Sequence, residues 1–305
     1  MKVKFYTLMY VAHEEQRQFS GHVYSGKQKL DMYMKGACLL DKSLKINEGI
    51  GLTLLTNDIV SIEESLERLN YRNLDVKEIQ FDLNVTRGCA FYSAHYKIDV
   101  YHYLGTLPND EYSVLLDSDV ISISSLGSDF YHIVKSGIPM IYNLPSYGGD
   151  RRLLDVKKID PSINWCSWVG GEFIGGTNVF FMDLYNDILS FKDIYWNNID
   201  NDLFHVGDEM LTTIALSHLW HKYRVINAGD MGYIYRYWSI YENLTYTNVG
   251  ASLIHFPGDK KFFFKSDLSA SNVIDIMDGY GFYHIKSLMK GYIKKLLDKR
   301  WKSKL

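Results

Sequence analysis

The first 120 residues alternate short apolar runs with helical stretches, and that alternation narrows the chain to a parallel α/β sheet covered on both faces. Residues 3–10, 51–55, 76–81 and 112–116 read as strands. Between them, 31–45 places Met34, Cys38, Leu39 and Leu44 at helical spacing, 62–69 reads as a short helix, and 90–104 reads as an aromatic-rich one. Residues 13–29 are polar, contain Gly21 and Gly26, and read as a loop. Sheets of this kind bind ligands outside the carboxyl ends of their strands. Residues 7–10, 56–58 and 117–119 all stand at such ends, so three polar segments share one edge.

The second half is less regular. Residues 172–182 (Glu-Phe-Ile-Gly-Gly-Thr-Asn-Val-Phe-Phe-Met) read as a glycine-hinged loop entering a buried strand. Residues 208–219 read as a helix with an acidic first turn, and 252–256 as a strand ending at His255.

Charge is unevenly placed. The net charge is −3, while the last 22 residues carry seven Lys and one Arg against one Asp, or +7, which leaves −10 on the rest. Within that tail, Ile285, Leu288, Met289, Tyr292, Ile293, Leu296 and Leu297 form one helical stripe, flanked by Lys286, Lys290, Lys294 and Lys299 and followed by Trp301. The pattern is a basic amphipathic helix suited to an anionic membrane surface, or to docking on the acidic body. The division expected is a catalytic body over 1–283 and this helix over 284–305. No global basicity points to nucleic acid. Cys38, Cys89 and Cys166 form no CxxC, which excludes a zinc knuckle or disulfide framework and fits a reducing compartment. The apolar run at 5–12 is too short to span a bilayer. The expected location is cytoplasmic, peripheral on the inner face of the cytoplasmic membrane if the tail binds it.

Two segments carry chemistry. Asp117-Ser118-Asp119 follows a buried strand, and its two carboxylates can converge on Mg²⁺ or Mn²⁺, or else cap a turn. In 255–261, His255 ends a strand, Gly258 allows a tight turn near a ligand, and Lys261 can reach a diphosphate as a point charge. Asp208 and Glu209 open a helix, where acids suit the helix dipole or serve a reaction. Tyr6 and Tyr10 flank the end of the first strand, where a uracil could stack. Trp165 and Trp168 could form an apolar platform for an acceptor sugar or pack in the core.

D-x-D after a buried strand, followed far downstream by H-x-x-G-x-x-K, resembles glycosyltransferase family 8, which includes bacterial lipopolysaccharide α-galactosyltransferases and glycogenin-like enzymes. The resemblance implies the GT-A nucleotide-sugar-binding fold, a mixed sheet flanked by helices. It implies Mn²⁺ or Mg²⁺ held by Asp117, Asp119 and His255, with Lys261 on the UDP diphosphate. Tyr6, Thr7, Tyr10, Lys97, Ser118 and Gly258 would complete the donor site. Lys97, in Ser93-Ala94-His95-Tyr96-Lys97, stands where that family has an Arg. Gly176-Thr177-Asn178-Val179 departs from its Asn-Ala-Gly, and Phe262-Phe263 from its Pro-Trp. Residues 171–176 with 205–209 resemble glycosyltransferase family 6 instead, where a Glu lies beneath the reacting sugar, the place of Glu209 or Asp208 here.

The expected activity is metal-dependent transfer of a hexose from a UDP-sugar to a saccharide or glycolipid acceptor, in bacterial surface polysaccharide or lipopolysaccharide synthesis. Both resemblances imply retention. A general base at Asp208 or Glu209 on the opposite face would give inversion. A sugar-1-phosphate nucleotidyltransferase is the rival enzyme, although residues 11–15 lack the glycine-rich basic loop it needs. A non-catalytic membrane-associated binding protein is the other rival.

Overall fold

The computed structural model describes residues 1–12, 26–144, 150–199, 203–238, 246–269, 271–277 and 280. The predicted tail helix at 284–305 lies outside the described residues, as do residues 13–25 of the predicted loop.

The first half runs β1 (Lys2–Met9), α1 (Gly26–Glu48), β2 (Leu52–Thr56), α2 (Ile59–Arg68), β3 (Asp75–Glu78), α3 (Tyr92–His95), α4 (Lys97–Gly105) and β4 (Glu111–Leu116). It continues with β5 (Val120–Ser122), α5 (Gly127–Ser136), β6 (Met140–Asn143), α6 (Asp150–Ile159), β7 (Val169–Thr177) and α7 (Asn178–Asn198). The last elements are α8 (Asp208–Leu219), β8 (Ile226–Asn227), β9 (Ile234–Arg236), β10 (Leu253–His255), α9 (Lys260–Lys265) and α10 (Val273–Ile276).

Seven strands form one sheet in the order β3-β2-β1-β4-β7-β6-β8. The first four are parallel, as the alternation requires, and β7 runs antiparallel to both β4 and β6. A second sheet has the order β5-β10-β9. Side-chain alternation along β1 sends Phe5 and Met9 to a core shared with α1 and α5, and Tyr6 to the opposite core under α4, α7 and α8. A third core, containing Tyr237, Phe256, Phe263 and Tyr280, lies beneath the small sheet.

Three boundaries differ from expectation. Helix α1 begins at Gly26, inside the predicted loop. The helix expected over 90–104 is two pieces, entered through Phe91 in the left-handed region at φ 55°. The largest correction concerns 172–182. Its first half is the buried strand β7, and Val179 to Met182 belong to α7. The glycines give β7 room rather than a hinge. A Cβ at Gly176 would lie 2.3 Å from the Phe180 ring, and one at Gly175 would lie 3.1 Å from Tyr112. Thr177 caps α7, and Phe180, Leu184, Ile188, Phe191 and Tyr195 then recur at helical spacing on its buried face.

Helices α7 and α8 and the segment after α6 meet at His218, whose Nδ1 lies 2.8 Å from Asp187 and Nε2 2.7 Å from Asp160. The Asp187 hydrogen bond, aided by Asp160 against the cost of burial, raises the His218 pKa. The stabilisation is therefore complete below the unfolded value of about 6.5 and is lost as pH rises through the higher folded value. Urea denaturation should show the stability gap between wild type and His218→Gln narrowing as pH rises above the unfolded value of about 6.5. A gap that stays constant would count against the ion-pair assignment.

Candidate metal and donor site

The site is built where the two sheets meet. Strand β4 ends at Leu116, and a tight turn, with Val120 N donating to Asp117 O at 3.2 Å, leads straight into β5. Register pairs His255 with Val120, which brings the end of β10 beside the Asp117–Asp119 turn. His255 Nε2 lies 3.1 Å from Asp119 Oδ1 and 3.8 Å from Asp117 Oδ2. One ligand atom from each of the three residues falls within 4.8 Å of the others.

Behind this trio lies a circuit of charges. His255 Nδ1 meets Glu172 Oε1 at 3.2 Å, so a proton on Nδ1 leaves the Nε2 lone pair facing the aspartates. Arg236, from β9, donates through Nε and Nη2 to Glu172 and through Nη2 to Glu209. Glu209 also accepts from Trp168 Nε1 at 2.8 Å and from Gly171 N at 3.3 Å. On the other flank, Lys97 Nζ lies 2.7 Å from Asp117, 2.8 Å from Asp208 and 2.9 Å from the Gly171 carbonyl. Lys260 Nζ closes on Asp119 and lies over the Tyr33 ring.

Burial opposes charge throughout the circuit, and the partners decide the outcome. Lys260 and His255 hold Asp119 below the usual carboxylate range despite its burial. Arg236 and His255 do the same for Glu172. Burial would lower His255, but Asp119 and Glu172 outweigh it and raise it to about 9. For Asp208, burial wins over Lys97 and pushes the carboxyl up to about 6.

The donor set fits a hard divalent cation: two carboxylates and an imidazole oriented by a third carboxylate, that of Glu172. The charge balance agrees. Among the described residues, the lysine and arginine partners of Asp117, Asp119, Glu172, Asp208 and Glu209 are Lys97, Arg236 and Lys260. With His255 neutral, two negative charges remain for a cation to offset, and binding would release the imidazole proton.

The architecture has known counterparts. Mouse xyloside xylosyltransferase 1, in its apo form, matches with a TM-score of 0.52 over 84% of this chain and 98% of that one, at 9% identity. An active-site variant of LgtC matches with a TM-score of 0.51 over 91% of this chain and 95% of that one, at 13% identity. The fold is that of the GT-A glycosyltransferases. No family model matches the sequence, and no curated protein matches it.

Within the GT-A frame the predicted residues separate into groups. Asp117, Asp119 and His255 are together, with Lys97, Asp208 and Glu209 adjoining them. Lys97 spends its contacts on two aspartates and a carbonyl. Ser118 turns its carbonyl toward Gly36 of α1. Tyr10 stacks on Tyr96, with ring centroids 3.7 Å apart, in a cluster with Phe81 and Tyr92. Thr7 is fully buried, and its hydroxyl has no partner among the described residues.

Other expectations meet a different placement. Tyr6 is 2% exposed and donates to Glu111, at the opposite end of the sheet from the aspartates. Its ring packs in a core, so it does not reach the donor edge. Lys260 meets Asp119, and Lys261, expected at the diphosphate, follows it on α9. Gly258 lies in the turn before α9, where a Cβ would stand in ordinary contact, 3.7 Å from Trp238. Internal packing therefore does not demand a glycine there. Trp168 is buried against Glu209, whereas Trp165 is exposed and meets Trp220 edge-on.

Sequence reasoning missed Arg236, Lys260 and the role of Glu172. No local spacing marks Arg236, because only the pairing of β9 with β10 brings it to the site. Lys260 could have been found, since it sits beside Lys261. His95 was read only through a resemblance. Its Nε2 lies 2.8 Å from the Tyr195 hydroxyl, which accepts from Gly207 N and so fixes the start of α8.

Proposed function

We propose that this protein is a metal-dependent glycosyltransferase that moves a hexose from a UDP-sugar to a saccharide or glycolipid acceptor with retention of configuration. The setting proposed is bacterial surface polysaccharide or lipopolysaccharide synthesis. The observation that carries the reading is the meeting of Asp117, Asp119 and His255 at the carboxyl end of β4, in a GT-A fold.

Asp117, Asp119 and His255 would hold Mn²⁺ or Mg²⁺, and the chemistry such an ion supplies there is neutralisation of charge on a departing diphosphate. Lys260 and Lys261, at the start of α9, add positive charge on the same side. Lys97 bridges Asp117 and Asp208 and holds both in place. Glu209 accepts three hydrogen bonds from donors on fixed elements, so its orientation is set and it can stabilise positive charge growing at the anomeric carbon. Tyr10, in its aromatic cluster, is the proposed neighbour of the uracil. The body over 1–283 would perform the reaction, and the basic helix over 284–305 would hold it to an anionic membrane bearing the acceptor. Among the described residues no helix is long and apolar enough to cross a membrane.

A screen of UDP-hexoses with purified protein tests the reading. One donor should release UDP in the presence of Mn²⁺, with the release abolished by excess chelator. Equal release with chelator present would remove the metal from the scheme. Consumption of UTP with formation of pyrophosphate would assign a nucleotidyltransferase instead. The anomer of the transferred sugar, read by NMR, separates retention from inversion.

A further inference from the structure

We infer that Arg236 is a positioning residue that couples the cation site to the start of α8. The inference rests on the metal-site reading above but concerns a residue to which that reading gives no role. Arg236 is the last residue of β9, in the small sheet, and its side chain is only 12% exposed. One guanidinium engages two carboxylates with different duties. Glu172 is fully buried and accepts from both Nε and Nη2, and its other neighbour is the Nδ1 of His255. Glu209, on α8, accepts from Nη2. The planar fork thus fixes the carboxylate that orients the imidazole and, at the same time, the carboxylate expected beneath the reacting sugar. The Arg236 backbone is itself fixed, since its N–H donates to the Tyr142 hydroxyl at 3.1 Å.

This geometry makes the two sites energetically dependent on each other. If a neutral group replaces Glu209, the guanidinium loses one of its two anchors and holds Glu172 less firmly. Glu172 then orients the His255 N–H less well, and Nε2 is presented less well to the cation. A residue that does not touch the cation should therefore alter its affinity, and should do so through Arg236. A lysine at this position supplies charge without the fork and cannot serve both carboxylates.

The test is a double-mutant cycle read by Mn²⁺ binding to the full chain, using calorimetry or water-proton relaxation, so it does not require turnover. Glu209→Gln alone should weaken Mn²⁺ binding about threefold, and Arg236→Gln alone about tenfold. In the Arg236→Gln background, adding Glu209→Gln should change the affinity no further. Arg236→Lys, which keeps the charge and guards against a folding defect in the glutamine variant, should abolish the coupling in the same way. Additive effects in both backgrounds, or no effect of Glu209→Gln on Mn²⁺ affinity, would overturn the inference. Absence of Mn²⁺ binding by the wild type would instead overturn the metal-site reading.

Discussion

Asp119→Ala is expected to lower cation-dependent donor turnover by about a thousandfold. Asp119 is buried and lies between His255 and Lys260, so removing it strips one ligand and leaves two cationic groups facing each other without their shared counter-charge. Asp119→Asn preserves shape and should be nearly as damaging, because an amide oxygen neither neutralises a divalent ion nor balances Lys260. Steady-state UDP release over a Mn²⁺ titration checks both variants, with circular dichroism confirming that each folds. Turnover within about tenfold of wild type for Asp119→Ala would sink the ligand assignment.

Gly36→Ala should also be harmful, from a position on α1 that packs against the backbone of the Asp117–Asp119 turn. A Cβ on Gly36 would stand 2.5 Å from the Ser118 carbonyl oxygen and 3.9 Å from the Asp119 Cα. The obstacle is backbone, so either the turn or the helix must move. The strain is expected to cost ~1–3 kcal/mol of stability. Because the moving part carries Asp117 and Asp119, Mn²⁺ affinity should fall about tenfold or more. Thermal melts and metal titrations on the same preparation read both quantities. A variant with unchanged Mn²⁺ affinity would show that the turn tolerates displacement.

The sequence made the first half of the fold legible because its strands are buried runs of β-branched and aromatic residues closed by polar segments. The antiparallel strand β7 was misread for a physical reason. Its glycines look like hinges until the aromatic rings of Tyr112 and Phe180, which occupy the space they leave, are seen in place. In the site, the grouping of Asp117, Asp119 and His255 was legible because D-x-D and H-x-x-G-x-x-K resemble a family pattern, and the structure brings the three side chains together. The charges behind them were not. Arg236 and Glu172 are 64 residues apart, and nothing local links a guanidinium on one sheet with a carboxylate on another. Tyr6 illustrates the opposite failure. It lies near the right end of the right strand, but alternation along β1 and the pull of Glu111 turn it into the core.

The seam between β4 and β5 has a consequence for how the chain matures. Only the turn 117–119 separates a strand of the large sheet from a strand of the small one, and the third proposed ligand, His255, arrives on β10 of that small sheet. A chain whose large sheet has formed but whose small sheet is undocked therefore presents two aspartates without their histidine. Such a half-assembled species would be inert toward an activated sugar. Capture of the proposed ion would add RT ln(1 + [L]/Kd) of free energy to the fully docked form alone. The proposed ion would then act as a late fastener as well as a reagent, so chemical competence and completed assembly would arrive together.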